Sequence, residues 1–206
     1  MVSFAMPPEK ERCAAMRVEI LSEKEVQVFL MFLDTCSPRN NLMLRLMLQC
    51  GLRVGEVSLL NVEDVWRGGY VNPAVHLPRA TTKGHKPRFV DIPEPLRLLI
   101  GAYVNSLMAK NHDMAPATPL FSGLKINRRL NVSGIGRIVT AASLACLGRR
   151  VWPHVLRHTY ASTLLRYTNI RVVQELLGHV SVNTTQIYTH VSSEDCKSAV
   201  NQAFNH

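Results

Sequence analysis

Trp152-Pro153-His154-Val155-Leu156-Arg157-His158-Thr159-Tyr160-Ala161 opens a helical pattern with a proline. The fixed φ and missing N–H of proline suit the first helical turn and no deeper position, so a helix is predicted to begin here. His154, Arg157 and His158 fall at i, i+3 and i+4 and share one face, which runs on into Ala161, Leu164 and Leu165. Those three read as core. An arginine at the edge of an apolar stripe is costly unless an anion pairs with it. Taken singly, a salt bridge accounts for Arg157 and a hydrogen-bonded core position accounts for His154. A zinc pair from the two histidines is the weaker reading, because no H-E-x-x-H glutamate accompanies them.

Helical patterning continues on both sides. Downstream it runs from Ile170 to Leu177, where Gly178 is a plausible left-handed cap that sets His179 on a turn. Tyr188 closes a short segment over 181–188, and a last helix spans about 193–204. That last segment has Ala199, Val200, Ala203 and Phe204 as a small apolar face, open to packing on its own domain or on a neighbouring protomer. Upstream, Ser22 and Glu25 make a capping-box pattern ahead of Val26, Phe29, Leu30 and Leu33. Ser37-Pro38 starts a nearly all-apolar helix closed by Gly51, and a further helix begins near Arg53. Between 62 and 93 the character changes. Tyr70-Val71, Val75-His76-Leu77 and Arg88-Phe89-Val90-Asp91-Ile92 alternate as short strands, with turns at Gly68-Gly69 and Lys83-Gly84-His85-Lys86. Helices return over 95–110 and 132–147. The predicted class is α+β, mainly α, with one small antiparallel three-stranded β-sheet.

Composition narrows the partner. Twenty-four Lys and Arg against fifteen Asp and Glu give a formal charge of +9, which favours a polyanion. With 47% hydrophobic residues the chain is able to build a core. Five scattered cysteines, none in a C-x-x-C pair, read as free thiols of a reducing cytoplasm rather than a disulfide framework or zinc site. The first residues lack a signal-peptide core, and the most apolar later stretch is too short to span a bilayer. Cytoplasmic localisation and no membrane partner are expected.

Four phrases then stand in order: Cys50-Gly51-Leu52-Arg53-Val54-Gly55-Glu56-Val57, Thr82-Lys83-Gly84-His85-Lys86-Pro87-Arg88, Pro153-His154-Val155-Leu156-Arg157-His158-Thr159, and Leu177-Gly178-His179 followed by Thr184-Thr185-Gln186-Ile187-Tyr188-Thr189-His190. Together they resemble the tyrosine recombinase (phage integrase) family, Xer-like across 177–191, over everything from residue 20 onward. The resemblance implies that Arg53 and Arg157 clamp the scissile phosphate, a task suited to planar guanidinium forks. It implies that His179 adds a hydrogen bond, that His154 assists proton movement, that Lys83 protonates the leaving 5′ oxygen, and that Tyr188 is the nucleophile. Glu56 would orient Arg53. On the hairpin, Lys86 or Arg88 would touch backbone phosphate, and Thr82 stands where the family often has glycine.

Such chemistry implies no cofactor and no metal. It implies double-stranded DNA as partner and a homotetramer on DNA, with a monomer in solution also open. The expected organisation is an arm or linker over 1–18 and a catalytic domain over 19–206, with no separate N-terminal core-binding domain in the chain. Weaker DNA grip and stronger salt dependence would follow. A type IB topoisomerase-like relaxing activity and a catalytically silent DNA-binding regulator are the alternatives.

Overall fold

The computed structural model describes residues 19–78, 87–123, 128–177 and 193–204. In chain order the elements are α1 (Glu23–Leu33), α2 (Pro38–Gln49), α3 (Val54–Leu59), a 3-10 turn at Val62–Asp64, β1 (Trp66–Arg67), β2 (Tyr70–Val71), β3 (Ala74–Leu77) and β4 (Arg88–Asp91). The helices α4 (Glu94–Ala109), α5 (Val132–Leu147), α6 (Pro153–Leu164), α7 (Ile170–Leu177) and α8 (Ser193–Phe204) follow. No helix among the described residues is long and apolar enough to cross a membrane.

Helix boundaries follow local chemistry. Ser22 and Glu25 form the reciprocal capping box: the Glu25 N–H donates to Ser22 Oγ at 3.3 Å, and the Ser22 N–H donates to Glu25 Oε2 at 2.8 Å. Asn131 accepts from the Gly134 N–H at 2.7 Å at the start of α5, and Gly148, at φ 68°, ends it. The centre of the molecule is α2, on which Leu42, Met43, Leu44, Leu46, Met47 and Leu48 are all buried. Only Arg45 interrupts the apolar run from Leu42 to Leu48, so this stretch must be enclosed, and α2 packs against α4 and α6 with α1 and α3 alongside. Each such side chain contributes about 1.5–3 kcal/mol by leaving water.

The strands differ from expectation. Among the described residues they form two separate two-stranded antiparallel ladders, β1–β2 and β3–β4, not one three-stranded sheet. β1 and β2 meet around Gly68-Gly69, whose φ values of 62° and 90° suit a tight hairpin turn. Pro73 separates the ladders: it has no N–H to give, while its carbonyl accepts from Ile92 at 3.0 Å and so belongs to the β3–β4 side. In β3–β4, Val75, Leu77 and Val90 point inward. His76 and Phe89 stack on the outer face at 4.9 Å.

Two cores result. The larger joins α1–α5 with the strands and reaches Val155 and Leu156 of α6. The smaller joins Tyr160, Leu164, Val172, Val173, Leu176, Leu177, Val200 and Ala203, so α8 packs on α6 and α7 of its own chain. Phe204 stacks flat on Tyr160 with ring centroids 5.5 Å apart. Leu165, expected in the core stripe, is exposed at the position just beyond the end of α6. Cys36, Cys50 and Cys146 are free thiols, and burial pushes each of them up from the usual cysteine range.

Candidate active site

The site is assembled where α2 ends. Gly51 takes a left-handed conformation, φ +63°, and turns the chain so that Leu52 N–H reaches back to the Leu46 carbonyl at 3.4 Å. A β-carbon on Gly51 would meet Cδ1 of Tyr160 at 2.3 Å, so glycine is required by space as well as by torsion. Immediately beyond, Arg53 is the N-cap of α3 in extended backbone. An arginine offers no acceptor to cap a helix. Glu56 makes the reciprocal half of the cap instead, accepting from the Arg53 N–H with Oε2 at 2.7 Å.

The same carboxylate organises the charges around it. Glu56 Oε1 accepts from Arg53 Nη1 at 2.7 Å, and Oε2 accepts from Arg88 Nη2 at 2.8 Å. Arg157 Nη1 lies 4.0 Å from Oε2. The Glu56 side chain is 1% exposed, against 25% for Arg53, 11% for Arg88 and 9% for Arg157. Among the described residues, three guanidiniums from α3, β4 and α6 therefore face one buried carboxylate, an arrangement with more positive than negative charge. Burial, reinforced by the Arg53 and Arg88 charges and opposed by Glu56, pushes Arg157 down to about 9. It keeps its charge at neutral pH, in surroundings where an arriving anion is favourable. Burial likewise lowers Arg88, with Glu56 opposing.

Arg157 also grips main chain. Its Nη1 donates to the Gly51 carbonyl, and its Nη2 donates to the Leu177 carbonyl at 2.7 Å. Arg88 Nη1 donates to the Leu176 carbonyl beside it. Both arginines thus hold the carboxyl end of α7, where helix carbonyls lack intrahelical partners and the dipole is negative. In the sequence Gly178-His179 follows directly.

His154 lies exposed at the start of α6, edge-on to His158 with ring centroids 5.8 Å apart. It is not the core histidine that its stripe suggested. Burial, then the His154 and Arg157 charges, push His158 below the usual imidazole range. Tyr160, the described tyrosine nearest the arginines in sequence, is fully buried, and burial drives its hydroxyl well above the usual phenol range. It is a packing residue against Gly51, unavailable as a nucleophile.

Of the residues singled out from sequence, the structure brings Arg53, Glu56 and Arg157 together and places His154 at the start of the Arg157 helix. Lys83, Lys86, His179 and Tyr188 lie outside the described residues. Arg88, read as a hairpin cation reaching for phosphate, instead has its guanidinium inside the cluster. Strand alternation carried that signal: Val90 faces the core, so Arg88 two residues earlier shares its face, and Phe89 between them is 71% exposed.

The Phage integrase family model matches residues 19–195, which includes every residue of this cluster. The chain belongs to the phage integrase family. Among its relatives in this family, it is 35% identical to tyrosine recombinase XerA of Pyrococcus furiosus over 185 residues, 89% of this chain and 61% of the relative. Against tyrosine recombinase XerD of Pseudomonas aeruginosa it is 34% identical over 177 residues, 84% of this chain and 57% of the relative. The chain therefore spans about three fifths of the length of these family members. In structure it resembles the crystallised XerA recombinase, with a TM-score of 0.68 and 28% identity over 91% of this chain and 64% of that one. It also resembles XerH site-specific recombinase bound to difH substrate in a pre-cleavage complex, with a TM-score of 0.65 and 25% identity over 85% and 51%.

Proposed function

We propose that this chain is the catalytic unit of a site-specific DNA recombinase, which cleaves and rejoins DNA strands through a 3′-phosphotyrosyl intermediate. The observation that carries this reading is the cluster of Arg53, Arg88 and Arg157 around the buried carboxylate of Glu56, in a member of the phage integrase family. Residues 19–206 form the catalytic domain and 1–18 an arm. The partner is double-stranded DNA in the cytoplasm, on which the protein works as a homotetramer.

Arg53 and Arg157 bind the non-bridging oxygens of the scissile phosphate, and His179 donates a further hydrogen bond. The Tyr188 hydroxyl attacks phosphorus while the bond from phosphorus to the 5′ oxygen breaks. Lys83 delivers a proton to that oxygen, and the tyrosine proton leaves by way of His154. Guanidinium charge stabilises the pentacoordinate state, the task that metal ions perform at other phosphoryl-transfer sites. A 5′ hydroxyl then attacks the phosphotyrosyl bond and releases Tyr188, so bond energy is conserved and ATP is not required. Lys86 touches backbone phosphate.

A nicked duplex pool with randomised arms tests this. Wild-type protein forms a covalent adduct that survives denaturant, and Tyr188→Phe forms none. An adduct persisting in Tyr188→Phe, or no adduct from wild type, refutes the reading. Relaxation of supercoiled DNA without strand exchange would assign a topoisomerase instead.

A further inference from the structure

We propose that Arg88 is a positioning residue of this site, bridging Glu56 to the carboxyl end of α7 and so holding Arg53 and the mount of His179 in one frame. The inference rests on the recombinase reading above. Four segments converge on this bridge. Arg88 opens β4, five residues after Lys83 in the sequence. One arm of its guanidinium meets Glu56 Oε2 at 2.8 Å, and the other meets the Leu176 carbonyl. Glu56 in turn holds both the backbone and the guanidinium of Arg53. Arg157 completes the frame by binding the next carbonyl of α7, that of Leu177.

With its side chain 11% exposed and its terminal nitrogens both engaged inward, Arg88 is poorly placed to reach a phosphate itself. Its planar fork suits two acceptors at once. A lysine ammonium, a single point charge on a flexible stem, matches only one of them well. Loss of Arg88 frees Glu56 Oε2 from a competing partner and removes one of the two guanidinium contacts to α7 seen among the described residues. Arg53 and His179 then lose their common reference while the phosphate-binding groups themselves remain.

The test uses the full chain and an adduct-forming duplex enriched from the nicked pool. Single-turnover cleavage at saturating protein, duplex Kd across a salt series, and thermal midpoint are measured for wild type, Arg88→Gln and Arg88→Lys. The expected result for Arg88→Gln is cleavage slower by about 10–100-fold, the range seen when groups that orient site ligands are removed. Kd and its salt slope stay at wild-type values. Arg88→Lys recovers part of the rate, and Arg88→Gln adds little further loss in a Glu56→Gln background, as expected for two residues acting as one unit.

A salt slope lowered by about one phosphate contact would overturn the proposal in favour of direct backbone contact. Unchanged cleavage in Arg88→Gln would overturn it as well. So would a rate loss matching only the unfolded fraction, with Arg88→Lys restoring rate and melting together. Absence of any wild-type adduct would instead remove the recombinase reading, and this inference with it.

Discussion

Gly51→Ala is the sharpest perturbation of the frame that sets Arg53 and Arg157. Two costs add. At φ +63° an alanine pays about 1–2 kcal/mol for left-handed backbone that glycine adopts freely. Its β-carbon would also stand 2.3 Å from Cδ1, 2.6 Å from Cε1 and 3.0 Å from Cγ of Tyr160. That ring is fully buried and held by Phe204 on one face, so it is hemmed in. Relieving such overpacking costs about 1–3 kcal/mol. The expected loss is about 2–5 kcal/mol, a large share of the roughly 5–15 kcal/mol that holds a domain together. Urea unfolding of wild type, Gly51→Ala, Tyr160→Ala and the double variant separates the two parts. In the Tyr160→Ala background the steric part vanishes and only about 1–2 kcal/mol remains, a coupling of about 1–3 kcal/mol. A Gly51→Ala cost under about 0.5 kcal/mol, or the same cost in both backgrounds, would refute the reasoning.

Arg53→Ala or Arg157→Ala should each slow cleavage by about 10²-fold or more, by analogy with deleting an oxyanion donor; near-normal adduct formation would count against the assignment. Glu56→Gln keeps the shape but leaves three guanidiniums facing a neutral amide, and should cost about 3–5 kcal/mol in chemical denaturation, as breaking a buried ion pair does. The hydrogen bond from Arg149 holds the Glu25 carboxyl down at about 2, with Ser22 assisting and burial opposing. A carboxylate whose folded pKa is depressed adds stability that is complete above its ordinary range and lost as pH falls through the folded value. Thermal midpoints should therefore drop between about pH 4.5 and 2, and Arg149→Met should remove that part of the acid loss.

The helices were legible because their signals are local. Ser22 with Glu25, Pro38, Gly51, Pro153 and the period of Ile170 to Leu177 each act over one or two turns, and the structure follows them closely. Three of the strands were legible, but β1 at Trp66–Arg67 was not, nor was the pairing. The patterning of Tyr70-Val71 and Val75-His76-Leu77 does not show that Pro73 hands its only hydrogen-bonding group, the carbonyl, to Ile92. His154 and Leu165 share the stripe of Arg157 in sequence yet are exposed. Helical spacing identifies a face, whereas burial depends on what packs against it.

By itself the sequence determined which groups are present and in what order: two arginines, two histidines, a lysine and a tyrosine within motifs whose spacing matches one family. It also determined that Arg53 and Glu56 are neighbours, because three residues on a helix start is a local distance. Only the tertiary structure decided that Arg88 and Arg157, 69 positions apart along the chain, meet at the same carboxylate and hold adjacent carbonyls of α7. The physical reason is desolvation. A guanidinium enters the interior only where acceptors already wait, and those acceptors come from Glu56, Gly51, Leu176 and Leu177, residues gathered by folding rather than by sequence proximity.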